Sequence, residues 1–137
     1  AQMKSQILAN TDLSMREQFA KQMAVGMTQN PVYHERLVQW SLSADLKMTA
    51  QAMHDMSIVD LRQNVSEITA PTLVLGAWIE YKKFGATKEQ IQFNFENQFA
   101  AHKNKEIILS DSAKHFIMLD EPEWTNEQIG KFLQKNN

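Results

Sequence analysis

The sequence has no cysteine, and it has only four glycines and three prolines among its 137 residues. The lack of cysteine excludes disulfide frameworks and thiolate metal sites and is typical of a reducing compartment, so we expect a cytoplasmic protein. The longest apolar runs reach four or five residues, whereas a transmembrane helix needs about 20. A net charge of −2 provides no basic surface for nucleic acid or anionic lipid. We therefore expect neither a membrane nor a nucleic acid as a partner.

The chain is 43% apolar and 22% charged, which is the composition of a globular protein. The first part of the chain is predicted to be helical. Ser14 and Glu17 have the spacing of a capping box, with apolar residues following at helical intervals. Residues 30–40 begin with Asn-Pro, which predicts a second helix. Ser43 is the expected N-cap of a third, and residues 61–68 are expected to form a short fourth.

The character of the sequence changes near residue 70. Residues 70–76 and 106–110 are continuous apolar runs, which predict strands buried on both faces as in parallel sheets. Thr87 and Gln90 form a second capping box between them, and Pro122 opens a final helix. The order β-α-β-α indicates a parallel α/β layer. The residues of the final helix that are predicted to face inward are Ile129, Phe132 and Leu133.

Two strands are too few for an independent parallel sheet, because both of their outer edges would be unpaired. Further strands are therefore expected from polypeptide upstream of residue 1, or copies of the chain are expected to pair through these edges. On this interpretation residues 1–57 form a helical region and residues 58–137 form the β-α-β-α part of the core.

His115 follows the second predicted strand by five residues. Open α/β sheets bind ligands outside the carboxyl ends of their strands, and a histidine placed there can accept and return a proton near neutral pH. The alternative is a histidine that only packs within the loop.

Residues 70–76 and 112–124 resemble two segments of the α/β-hydrolase fold. The first resembles the penultimate strand. The second resembles the last strand-to-helix turn, in which a small residue and the catalytic histidine precede apolar positions, an acidic residue and a helix-opening proline. The resemblance covers about residues 58–135, and residues 1–57 are similar to the family's helical cap in composition and position. It implies an α/β class chain, a partial α/β-hydrolase fold with a helical cap region followed by a β-α-β-α unit.

The resemblance implies an esterase-like serine hydrolase that acts on a small-molecule acyl substrate without a cofactor, with His115 as the triad histidine. The family's nucleophile sits in a G-x-S-x-G elbow, and no serine of this sequence lies between two glycines at that spacing. The nucleophile and the oxyanion hole are therefore expected in a missing N-terminal half. The parent protein would be an enzyme, and these 137 residues alone would be inactive.

Two carboxylates compete for the role of triad acid. Aligned from Pro71, Glu80 falls where the family places its acid, although its turn departs from the family's pattern. Asp60 is the rival. It precedes the helix predicted for residues 61–68, and the N-terminus of that helix is expected at the same edge of the sheet. Its alternative role is an N-cap. Asp111 is expected to be a turn residue.

The other histidines are expected at the surface, and their spacing predicts no metal site. They are His34, His54 and His102. The methionines of the helical region are expected to pack in a core or to line an acyl pocket. Two other functions stay open: a non-catalytic binding or assembly module on a hydrolase-like scaffold, and a hydrolase-fold enzyme of other chemistry, such as a dehalogenase or a cofactor-free lyase.

Overall fold

The computed structural model describes residues 2–9 and 12–136, which are mostly helical and include one small parallel sheet. Short 3₁₀ helices occur at Pro31–Tyr33 and Asn64–Glu67. The remaining elements, in chain order, are α1 (Gln2–Ala9), α2 (Leu13–Met27), α3 (His34–Ser43), α4 (Leu46–Ile58), β1 (Thr72–Gly76), α5 (Ile79–Lys82), α6 (Lys88–Gln98), β2 (Lys105–Leu109), α7 (Ile117–Asp120) and α8 (Pro122–Asn136).

The chain forms two compact units. The N-terminal unit comprises residues 1–25 and 31–60, and the C-terminal unit comprises residues 26–30 and 61–137. In the N-terminal unit α1 packs against α4, and the Arg16 guanidinium donates to the Leu42 carbonyl oxygen at 3.3 Å. Its buried apolar residues are small or medium-sized: Ala20, Ala24, Leu37, Val38 and Ala50.

The methionines of this unit are more exposed than a core or a closed acyl pocket requires. Met15, Met48 and Met56 are all at least 60% exposed. On α2 the buried positions are instead Ala20 and Ala24, four residues apart on one face of the helix. The prediction of methionine-rich core packing is therefore wrong for these three side chains.

Two predicted helix caps are displaced by a neighbouring aspartate. The Asp12 carboxylate accepts the backbone N–H groups of Ser14 (2.8 Å) and Met15 (3.2 Å), so α2 begins before the predicted cap at Ser14. Asp45 accepts the N–H of Met48 at 2.9 Å and caps α4, while Ser43 ends α3. Aspartate competes well with serine for such positions because its charged oxygen also interacts favourably with the helix N-terminus.

The predicted parallel pairing of the two strands is confirmed. β1 and β2 are aligned without offset from Thr72 opposite Lys105 to Gly76 opposite Leu109. Their burial is lower than predicted, however, since only the last residue of each strand is buried. Within the described part of the chain no third strand joins the sheet. Pairing of copies through these edges stays a prediction.

The helix between the strands has the predicted capping box. The Thr87 hydroxyl accepts the Gln90 N–H at 3.3 Å, and the Gln90 side chain accepts the Thr87 N–H at 2.9 Å. The helix α6 packs against β2, and α8 packs against β1. The β-α-β-α order read from the sequence is therefore present, with the short helices α5 and α7 added after the strands.

Two other expectations for this unit are wrong. Residues 61–68 form only a short 3₁₀ helix, which begins at Asn64 with Gln63 rather than Asp60 at its N-cap position. On α8, Ile129 and Leu133 are 40% and 52% exposed, because a two-stranded sheet covers little of a 15-residue helix. No helix among the described residues is long and apolar enough to cross a bilayer.

Candidate functional site

The loops that follow β1 and β2 leave the sheet at the same edge. Because Gly76 lies opposite Leu109 in a parallel register, both strands end together. Residues 77–78 lead into α5, and residues 110–116 form the loop that carries His115. The structure therefore places His115 after the carboxyl end of a parallel strand, where open α/β sheets bind ligands.

The beginning of the His115 loop is held by a buried serine and a glutamate. Ser110 is fully buried, and its hydroxyl oxygen accepts the N–H groups of Ser112 (3.2 Å) and Ala113 (2.8 Å). The Glu121 carboxylate accepts the hydroxyl groups of both Ser110 and Ser112. These hydrogen bonds hold residues 110–113, the part of the loop that precedes His115, in one conformation.

The end of the loop is held by Asp120 and by residues 26–30. The Asp120 carboxylate accepts the Lys114 N–H at 2.8 Å, and the Phe116 N–H donates to the Met27 carbonyl oxygen at 2.9 Å. The backbone is therefore fixed on both sides of His115.

The His115 ring itself is exposed. Its centroid lies 5.1 Å from that of Phe116, with the two rings nearly perpendicular at 79°. Within the part of the chain that the structure describes, this is the ring's one specific contact, and neither ring nitrogen is hydrogen-bonded. The structure thus has an exposed imidazole on a backbone that is fixed on both sides.

Glu80 lies on the short helix α5, at the same sheet edge, but it is bound to lysines and not to His115. Its carboxylate pairs with Lys83 and, at 3.2 Å, with Lys114, the residue before His115. The hydrogen bond from Lys83 lowers the pKa of Glu80 below its usual 4.5, with Lys114 adding to the effect against partial burial. Glu80 is therefore ionised near neutral pH, as a triad acid must be, while its oxygens are engaged by ammonium groups.

The lowered pKa of Glu80 predicts a specific pH dependence of stability. Because the folded-state pKa is below the unfolded value, the stabilisation is present above about pH 5 and is lost as pH falls through the folded-state pKa. We expect Lys83→Met to flatten this acid dependence in urea unfolding measured between about pH 3 and 7. Lys82→Met, on the same helix, is the matched control; equal curves for all three proteins would contradict the role of Lys83.

Asp60 is exposed and ends the N-terminal unit, whereas His115 belongs to the C-terminal unit. Its proposed part in a triad stays a prediction. Asp111 is a turn residue, as expected: it is 81% exposed and pairs with Lys88.

The surface placement predicted for His102 is wrong. This residue is 1% exposed, and its Nε2 lies 2.7 Å from the Thr72 hydroxyl oxygen. Its Nδ1 accepts the Asn104 N–H at 3.3 Å, so Nε2 carries the proton and donates to Thr72. His102 thus fastens the connection before β2 to the start of β1, and the polar residues beside it gave no sign of this long-range contact. His34 and His54 are half-buried.

The supporting residues of the loop were missed by the sequence interpretation. Ser110, Glu121 and Thr28 carry no motif of their own, and the acidic position of the hydrolase-like turn was the one available signal for Asp120. No three histidine, aspartate or glutamate side chains within residues 2–9 and 12–136 are grouped in a way that could hold a metal ion.

No protein-family model, curated protein or solved structure matches this chain. The α/β-hydrolase resemblance of residues 70–76 and 112–124 therefore stays a prediction.

Proposed function

We propose that the C-terminal unit is the histidine-bearing part of a serine hydrolase that cleaves an ester or a related acyl bond. The observation that carries the proposal is the placement of His115: an exposed imidazole on a loop fixed at the carboxyl edge of two parallel strands. A general base has to combine these properties, because proton transfer requires both access and a fixed position.

In this mechanism His115 removes the hydroxyl proton of a serine as that oxygen attacks the acyl carbon. The imidazolium then returns the proton to the leaving group, and the same cycle with water releases the acid. The chain has no G-x-S-x-G elbow, so the serine and the oxyanion-hole donors are supplied by polypeptide outside these residues. The substrate is a small acyl compound, and the reaction needs no cofactor.

The acid that orients the imidazole is Glu80 or Asp60. Glu80 is already ionised and lies at the sheet edge of His115, but it has to exchange Lys114 for the imidazole N–H. The two groups that would exchange belong to adjacent residues, Lys114 and His115, so the change requires only a local rearrangement. It would occur when the remaining parts of the active site assemble.

Covalent labelling with a fluorophosphonate tests the proposal. We expect the longest natural polypeptide that contains this chain to label on one serine and to hydrolyse p-nitrophenyl esters. The 137-residue chain alone should do neither. Because labelling requires a serine activated by its base, the label and the hydrolysis should decline together in a His115→Gln variant. A longer polypeptide that neither labels nor hydrolyses a panel of short and long acyl esters would contradict the proposal.

One observation favours a second candidate, a non-catalytic assembly module. The two lysines that neutralise Glu80 occupy the oxygens that an orienting acid would need. On this alternative His115 is a surface residue of a scaffold. Failure of both labelling and hydrolysis would support the module, whereas a labelled serine would exclude it.

A further inference from the structure

We propose that Asp120 is the positioning residue for His115: it fixes the backbone beside the histidine without touching the imidazole. Its Oδ2 accepts the N–H of Lys114, the residue before His115, at 2.8 Å. The catalytic consequence of this placement rests on the proposed hydrolase function, while the placement itself does not.

The Asp120 carboxylate is itself held in one orientation. Its Oδ1 accepts the Gln29 N–H at 2.9 Å and the hydroxyl of Thr28, a residue that is fully buried. Both oxygens are therefore engaged, one toward residues 26–30 and the other toward the His115 loop. Hydrogen bonds to a charged carboxylate are stronger than neutral ones, so this arrangement resists rotation.

The same short segment also supports the other side of His115. The Phe116 N–H donates to the Met27 carbonyl oxygen at 2.9 Å, and the Gln29 side chain donates to the Ser112 carbonyl oxygen. Asp120 is the link between this segment and the Lys114 N–H, so its removal takes away the acceptor of that N–H and leaves the Met27–Phe116 and Gln29–Ser112 bonds in place.

An aspartate within the His115 loop itself provides a matched control. Asp111 is 81% exposed and pairs with Lys88 at the surface. Replacing either aspartate by asparagine removes one negative charge and changes the side-chain volume little. Only at position 120 does the change make the Lys114 N–H compete with the Thr28 and Gln29 donors for a single oxygen, since an amide has one acceptor oxygen where the carboxylate has two.

The first measurement is amide hydrogen exchange by NMR on the 137-residue chain. We expect Asp120→Asn to speed exchange at Lys114 about tenfold or more, because exchange reports local opening. Asp111→Asn should leave it unchanged. Thr28→Val, which removes the hydroxyl that orients the carboxylate, should act in the same direction and gives the result even where Asp120→Asn does not fold. Unchanged exchange at Lys114 in the folded variants would overturn the proposal.

The second measurement is ester hydrolysis by the longest natural polypeptide, expressed per folded molecule, with the folded fraction taken from urea unfolding. We expect Asp120→Asn to lower kcat roughly 10- to 100-fold with little change in KM, since small displacements of a catalytic group reduce the rate by such factors. A purely structural role would reduce the folded fraction and leave kcat per folded molecule unaltered.

The two measurements separate this proposal from the proposed function. If His115→Ala abolishes hydrolysis but Asp120→Asn retains the wild-type kcat, the positioning role is overturned and the hydrolase function stands. If His115→Ala retains hydrolysis, the catalytic role proposed for His115 fails, and exchange at Lys114 alone decides whether Asp120 positions His115.

Discussion

His115→Ala is expected to lower the kcat for ester hydrolysis by about 10⁴-fold or more in the longest natural polypeptide that contains this chain. Without the imidazole, no group accepts the serine proton as the acyl carbon is attacked, and none protonates the leaving group. KM should change little, because the ring contributes to the transition state rather than to ground-state binding. Steady-state kinetics with p-nitrophenyl esters measure the effect.

The exposure of His115 makes this variant a clean test. Among the described residues its ring has one specific contact, with Phe116, so the urea unfolding midpoint of His115→Ala should match that of the wild type. Added imidazole should restore part of the rate by occupying the vacated space, and His54→Ala, on helix α4, should behave as the wild type. A His115→Ala protein with near-normal turnover would remove the basis of the hydrolase assignment.

Gly76→Ala is expected to destabilise the C-terminal unit by about 1–3 kcal/mol, and Gly76→Val by more. A Cβ atom at position 76 would overlap the Leu109 side chain and lie 2.9 Å from the ring of Phe95. Gly76 and Leu109 are the buried last residues of the two paired strands. The strands therefore cannot separate to relieve the overlap without breaking their register. Urea unfolding followed by tryptophan fluorescence gives the change in free energy.

The matched control for this effect is Gly130→Ala. Gly130 lies within α8, and nothing approaches the position of its Cβ within 4 Å. Alanine there should stabilise the helix by up to about 1 kcal/mol. The loss at position 76 should also shrink in a Leu109→Val background, because the overlapping methyl group is then absent. Equal costs in both backgrounds would contradict the steric explanation.

The sequence predicted those parts of the fold that depend on local signals. The strands predicted at residues 70–76 and 106–110 and the Thr87–Gln90 capping box each depend on a few residues of chain. The structure has the capping box as predicted and strands at Thr72–Gly76 and Lys105–Leu109, within two residues of the predicted bounds. Where two nearby residues could cap the same helix, the pattern was ambiguous, and Asp12 and Asp45 took the positions assigned to serine.

The parts that could not be predicted depend on contacts between distant residues. His102 is surrounded by polar residues, yet a bond to Thr72, 30 positions away, accounts for its burial. Ile129 and Leu133 are exposed because the two-stranded sheet covers only a small part of α8. The helical spacing of apolar residues gives no information on the size of the sheet. At the candidate site, the position of His115 was predicted, but the pairing of Glu80 with Lys114 was not, since it needs the three-dimensional placement of α5.

The support that residues 26–30 give to the His115 loop has a consequence for how the protein folds. The bonds from Thr28 and Gln29 to Asp120 and Ser112 join positions 83 to 92 residues apart. Closing so long a loop costs chain entropy before the contacts can form, so we expect these contacts to form after the local elements. A polypeptide that starts at residue 61 would contain both strands and His115, yet the histidine loop would lack the segment that completes its shape.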